Sequence, residues 1–237
     1  MAASTTRWLP LESNPDSYTK WSSALGLDKS KWTFQEVYGL DDELLAWVKQ
    51  PVKAVLLLFP ITQAYEQYRK QQDEQIAQHG VKDVQDIIYF KQTIANACGT
   101  MALLHALANS GVPLNDGPLK TLFERAKDKN PYERAAMLVE DDGVAGEVSR
   151  VHESTASTGE TATPALSDDT DLHFLSFVEH KGNLIELDGR RESPVNHGKI
   201  QHDLLQDSVE VIKHIIELSS GNVNFNVTTL SPAQPDE

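Results

Sequence analysis

The residue best placed to do chemistry is Cys98, the single cysteine of the 237-residue chain. A thiolate is a strong nucleophile, but a lone buried cysteine is most often a small core hydrophobe, so its setting decides. Residues 92–107, QTIANACGTMALLHAL, are apolar nearly all round, the mark of a helix buried in the middle of a fold. Thr93 or Asn96 can cap such a helix, which puts Cys98 in or beside its first turn. There the unpaired backbone N–H groups and the positive end of the helix dipole stabilise a thiolate. Gly99 removes a side chain next to the sulfur, either for the approach of a substrate backbone or for packing.

A thiol nucleophile needs a base, and the base needs a group to orient it. Of the eight histidines, His79 lies near a helix end, His105 on the same helix as Cys98, His152 in a polar stretch and His214 on another helix. His173 differs, because it opens an apolar strand-like run with Leu172, Phe174 and Leu175. Residues 172–179 and 184–188 read as two strands around Lys181-Gly182, a two-residue hairpin turn. Such a turn pairs residues whose numbers sum to 363, so His173 and Asp188 become diagonal neighbours on one face. A carboxylate beside an imidazole fixes its tautomer and stabilises the imidazolium. Spacing alone does not bring this pair to Cys98. Gln92, six positions before the cysteine, carries an amide that can hold a developing oxyanion together with the Cys98 N–H.

Several elements must position these groups. Trp8, Trp21, Trp32 and Phe34 anchor the first part on a core, and Asp41-Asp42 starts a short helix ended by Pro51. Residues 55–59, VLLLF, read as a buried central strand. Residues 63–79 form a solvated helix stopped by Gly80. Residues 87–90 read as a strand or a helix end, and helices follow over 118–127 and 131–139. Residues 143–170 hold nine Ser or Thr, which predicts a long structureless excursion from a single domain spanning 1–237. A helix over 203–219 and a half-buried strand built on Val223, Phe225 and Val227 complete the chain.

Composition narrows the function classes. With 40% hydrophobic and 24% charged residues the chain is ordinary globular material. A net charge of −14 disfavours nucleic acid and anionic lipid and favours a basic partner. Nine acids against one arginine in residues 140–171 supply much of that charge. One cysteine excludes an internal disulfide and fits a reducing compartment, the cytosol or nucleus. Neither a secretory leader nor a membrane span is expected from the apolar runs.

The residues resemble the ubiquitin C-terminal hydrolases, a family of cysteine-protease deubiquitinases. The segment from Gln92 to Thr100 is similar to that family's active-site signature, and Arg7–Glu12, Val37–Asp41, Ala54–Ile61, Asp171–Phe174 and Glu186–Arg190 look like further family blocks. The resemblance implies an α+β fold with α-β-α layers: a mainly antiparallel six-stranded sheet flanked by helices, of papain-like architecture, with a knotted path and a loop over about 143–170 that crosses the active site. It implies Cys98 as nucleophile, His173 as base and acid, Asp188 as orienter and Gln92 as oxyanion donor, with no metal or organic cofactor. Glu12, Asp16 and Glu36 match acidic positions along the approach of ubiquitin's arginine-rich tail. Expected substrates are small adducts or short extensions at ubiquitin's C-terminal glycine, processed by a monomer. The alternatives are the same hydrolysis on a Nedd8-like modifier, or a ubiquitin-binding, ubiquitin-stabilising protein with weak turnover.

Overall fold

In the computed structural model, residues 7–140, 143–158, 171–219 and 223–234 are described. Six strands form one antiparallel sheet: β1 (Trp32–Glu36), β2 (Ala54–Pro60), β3 (Leu172–His180), β4 (Asn183–Leu187), β5 (Val195–Lys199) and β6 (Asn226–Pro232). Their spatial order is β1-β6-β2-β3-β4-β5. The run AVLLLFP of β2 is apolar without interruption because this strand is covered on both faces. Ala54, Leu56 and Leu58 point into one core layer, whereas Val55, Leu57 and Phe59 point into the other.

The first layer holds α1 (Pro15–Ala24), α4 (Cys98–Asn109), α5 (Pro118–Ala126), α6 (Pro131–Glu140) and α7 (Val144–Ala156), through Trp21, Leu104, Leu122, Leu138 and Val148 among others. The second holds α2 (Asp42–Leu45), α3 (Gln63–His79) and α8 (Leu204–Leu218), through Leu45, Tyr65 and Ile212. The helix–sheet–helix layering is the one expected. Asp41, Thr62 and Asp203 cap α2, α3 and α8 with their side chains, and Gly80 stops α3 at φ 72°. No described helix is long and apolar enough to cross a membrane.

The β3–β4 hairpin has the expected register, from Ser176 opposite Leu187 to His180 opposite Asn183. Lys181 and Gly182 both lie in the left-handed region, φ 52° and 75°, as a two-residue turn of this twist requires.

Four expectations are corrected. Residues 143–158 are not structureless, because α7 buries Ala145, Val148, His152, Thr155 and Ala156 along one helical stripe. The rest of the expected crossing loop, 159–170, lies outside the described residues. Residues 87–90 form neither strand nor helix. Their backbone is satisfied by side chains instead: Asn109 bonds both the N–H and the C=O of Ile88, His105 Nε2 accepts from Phe90 N–H, and Arg134 donates to the Ile87 and Tyr89 carbonyls. Val223 is 87% exposed, and the last strand begins at Asn226 and runs through Pro232 between β1 and β2. Neither Thr93 nor Asn96 caps α4. Its N-cap is Ala97, with no side-chain bond, and Asn96 makes the preceding turn at φ 62°.

Candidate active site

Cys98 is the first residue of α4, with 9% of its surface exposed. It therefore sits where the helix dipole and unpaired N–H groups favour negative charge. The turn before it is held from outside: Trp8 N–H donates to the Ala95 carbonyl at 3.0 Å. A Cβ on Gly99 would lie 3.0 Å from Leu11 Cβ and 3.4 Å from the Phe174 ring. Its missing side chain thus serves the packing of α4 on its neighbours.

His173, near the start of β3, is buried edge-on to Phe59. Its Nε2 is 2.7 Å from Asp188 Oδ1. Burial pulls the imidazole's pKa down. The Asp188 charge and hydrogen bond outweigh that pull, Cys98 adds to them, and the imidazole is held above its ordinary value. Asp188 is fully buried, and burial alone would push its carboxyl up. The His173 charge and hydrogen bond, the Arg190 N–H at 2.9 Å and the Arg191 charge hold it well below the usual carboxylate range instead. Three side chains from α4, β3 and the end of β4 are thus brought together, although they lie far apart in sequence.

Gln92 is tied to the same turn. Its N–H donates to the Gly189 carbonyl at 2.8 Å, and its side-chain Nε2 makes a long 3.4 Å bond to the Ile94 carbonyl. A Cβ on Gly189 would come within 3.0 Å of Gln92 Cβ, so this glycine lets the two segments close on each other.

The three acidic candidates divide. Burial raises the pKa of Tyr18, and the charges of Cys98, Glu36 and Glu12 add to it, so all three lie within electrostatic reach of one phenol. Tyr18 Oη donates to Ser13 Oγ at 3.0 Å, Ser13 Oγ to Asn226 Oδ1 at 2.7 Å, and Asn226 Nδ2 to Glu36 Oε1 at 2.5 Å. Asp16 stands exposed in the first turn of α1, and shares with Glu36 the lining of a cavity of about 640 Å³ that also includes Tyr38 and Trp47. None of Gln92, Cys98, His173 and Asp188 lines this cavity. No cluster of three His, Cys, Asp or Glu able to hold a metal exists among the described residues.

The family model for ubiquitin carboxyl-terminal hydrolase, family 1, matches residues 8–217. The chain belongs to this family. It is 43% identical to ubiquitin carboxyl-terminal hydrolase 3 of Arabidopsis thaliana over 97% of this chain and 96% of the relative. It is 37% identical to isozyme L1 of Rattus norvegicus over 94% and 98%. The fold matches the Trichinella spiralis UCH37 catalytic domain, a structure bound to ubiquitin vinyl methyl ester, with a TM-score of 0.77, 24% identity and 96% of both chains covered.

The hydrolase carries supporting groups that the sequence did not single out. Arg191, 1% exposed, pairs with Asp73 at 2.6 Å and with buried Glu186 at 3.1 Å, and Glu186 meets His197 Nε2 at 2.9 Å. This arginine balances two buried carboxylates, Glu186 and Asp188, which could not stay ionised unpaired. The adjacent pair Arg190-Arg191 after an apolar strand was a signal for such a partner. His105 lies on the Cys98 helix as expected, whereas His152, expected in a polar stretch, is buried on α7. Burial lowers each to about 4. His152 bridges Thr100 Oγ1 at 2.6 Å and the Leu9 carbonyl at 2.9 Å, tying α7 to the helix of Cys98 and to the N-terminal segment.

Proposed function

We propose that this hydrolase cleaves small adducts and short extensions from the C-terminal glycine of ubiquitin through a thioester on Cys98. The observation that carries the proposal is the buried His173 set between Asp188 and the thiol at the start of α4. With Nε2 engaged by Asp188, Nδ1 is the ring nitrogen that takes the thiol proton. Sγ attacks the glycine carbonyl carbon, and the oxyanion is held by the Cys98 N–H and by Gln92 Nε2, which gives up only its long bond to Ile94. His173 then returns the proton to the departing group as the tetrahedral intermediate collapses to the thioester. Water, deprotonated by the same imidazole, hydrolyses it and frees the ubiquitin carboxylate and the thiol.

Glu12, Asp16 and Glu36 are assigned to the arginine-rich tail of ubiquitin. Glu12, Glu36 and Cys98 all act electrostatically on Tyr18, so a cationic tail attracted by the two carboxylates is led toward the nucleophile. The expected limit on the size of the leaving group is placed, as part of this proposal, on residues of about 143–170, which from residue 159 onward lie outside the described residues. The lone cysteine suits a reducing compartment, the cytosol or nucleus.

The test is a ubiquitin probe bearing a C-terminal thiol-reactive group, incubated with wild type and Cys98→Ala. An adduct on wild type alone supports the assignment. Folded, reduced wild type that forms no adduct rejects it. Tight ubiquitin binding by Cys98→Ala beside slow wild-type turnover would point to a ubiquitin-stabilising protein instead.

A further inference from the structure

The turn after Asp188 is held by one short segment of the opposite half of the chain. Four consecutive carbonyls are involved. Tyr89 Oη lies within hydrogen-bond distance of the Asp188 carbonyl and, at 2.7 Å, of that of Arg191, and shares its one proton between them. Gln92 N–H takes the Gly189 carbonyl at 2.8 Å. Lys91 Nζ takes the Arg190 and Arg191 carbonyls, each at 2.9 Å, and reaches Glu192 Oε1 at 2.7 Å. The Lys91 side chain is 12% exposed, so its ammonium spends its donors on the turn rather than on water. Tyr89 is fixed in its own right, stacked on His105 of α4 at 4.9 Å and 11°.

Building on the proposed function, we propose that Lys91 is a positioning residue. Its ammonium clamps the 188–192 turn against the segment bearing Gln92, and so sets the spacing between the oxyanion donor and the His173–Asp188 pair. The chemistry suits the task. Consecutive peptide carbonyls that converge on one point need several donors at that point, and an ammonium has three. Charge-assisted bonds are about twice as strong as neutral ones, and misplacing a catalytic group by about 1 Å costs about 100-fold in rate. Neither Lys91 nor the carbonyls it holds touch substrate in the mechanism, so its effect passes through Gln92 and Asp188.

The experiment compares wild type with Lys91→Met, which keeps the stem and loses the donors, and with Lys91→Arg, which keeps a cation and its donors. Ile212→Val, on the buried face of α8, controls for lost stability. Each is assayed for kcat and KM on the C-terminal coumarin amide of ubiquitin across pH 6–9.5. Lys91→Met should lose at least about tenfold in kcat with KM within about twofold. Its basic limb should move to lower pH, because a loosened Asp188 supports the imidazolium less. Lys91→Arg should restore most of kcat and the limb. If Lys91→Met does not fold, Lys91→Leu, which also lacks donors, carries the same comparison, and Tyr89→Phe, which keeps the stacked ring, should move the limb in the same direction. Wild-type kcat in Lys91→Met, or a loss no larger than in Ile212→Val with the limb unmoved, overturns the assignment. An inactive wild type would reject the proposed function, a result distinct from an active wild type indifferent to Lys91.

Discussion

Asp188→Asn removes one charge from the site and almost no volume. The asparagine oxygen can keep both bonds of Oδ1, to His173 Nε2 at 2.7 Å and from the Arg190 N–H at 2.9 Å, so geometry survives while the charge leaves. Taking the two charge centres as about 4 Å apart and an effective dielectric constant of about 20, the lost attraction is about 4 kcal/mol. That is about three pKa units of support for the imidazolium. Burial, which already pulls His173 down, then acts unopposed by its carboxylate partner. The variant should fall about 1,000-fold in kcat/KM on the ubiquitin coumarin amide near neutral pH, with little change in KM. The basic limb of its pH profile should move down by at least one unit. Circular dichroism and probe-free ubiquitin binding would establish that the variant is folded. A folded Asp188→Asn within tenfold of wild type across pH 6–9, with its limb in place, would refute the electrostatic account of the pair.

His105 and His152 titrate near 6.5 when unfolded and near 4 when folded, so between those values the unfolded chain binds more protons and stability falls as pH drops. Each contributes roughly 3 kcal/mol to that loss, while the raised group, His173, gives a constant contribution below pH 6.5. Urea midpoints between pH 7 and 4.5 should show the decline, and His152→Gln should start lower and decline less. Gly99→Ala must push Leu11 or the Phe174 ring aside and should cost about 1–3 kcal/mol in urea unfolding; a neutral result would show that α4 can shift freely. Charge reversal at Glu12, Asp16 or Glu36 should raise KM and weaken its salt dependence, and an unchanged KM in all three would remove them from the tail's path. Gly/Ser insertion within residues 159–165 should increase cleavage of lysine-linked ubiquitin dimers; no gain would count against the size filter.

Local chemistry was legible where a few residues dictate the backbone. Lys181-Gly182 gave the hairpin its register, and with it the meeting of His173 and Asp188. The run from Ala54 to Pro60 announced a strand buried on both faces. β6 was placed a few residues too early because the rest of its core is written in Thr and Ser: Thr228 and Ser231 donate to Asn226 and Thr229, so polar residues are buried without ladder-breaking cost. α7 hid because its buried stripe mixes Ala, Val, Thr and His and holds no Leu. Thr155 returns its hydroxyl to the Val151 carbonyl, and His152 spends both ring nitrogens on neighbours. The 87–90 segment misled because its partners, His105, Asn109 and Arg134, are side chains from later in the chain. The encounter of Cys98 with His173 depends on tertiary packing across 75 residues, which spacing does not encode; similarity to a family pointed to it.

The place of β6 in the sheet has a consequence for biosynthesis. Among the described residues it is the last element in chain order, yet it lies between β1 and β2, and it is the one strand that pairs with β1. During synthesis β2 keeps an unpaired apolar edge, and β1 lacks its strand partner, until residues 226–232 have been made, so that side of the sheet closes late and across a wide sequence separation.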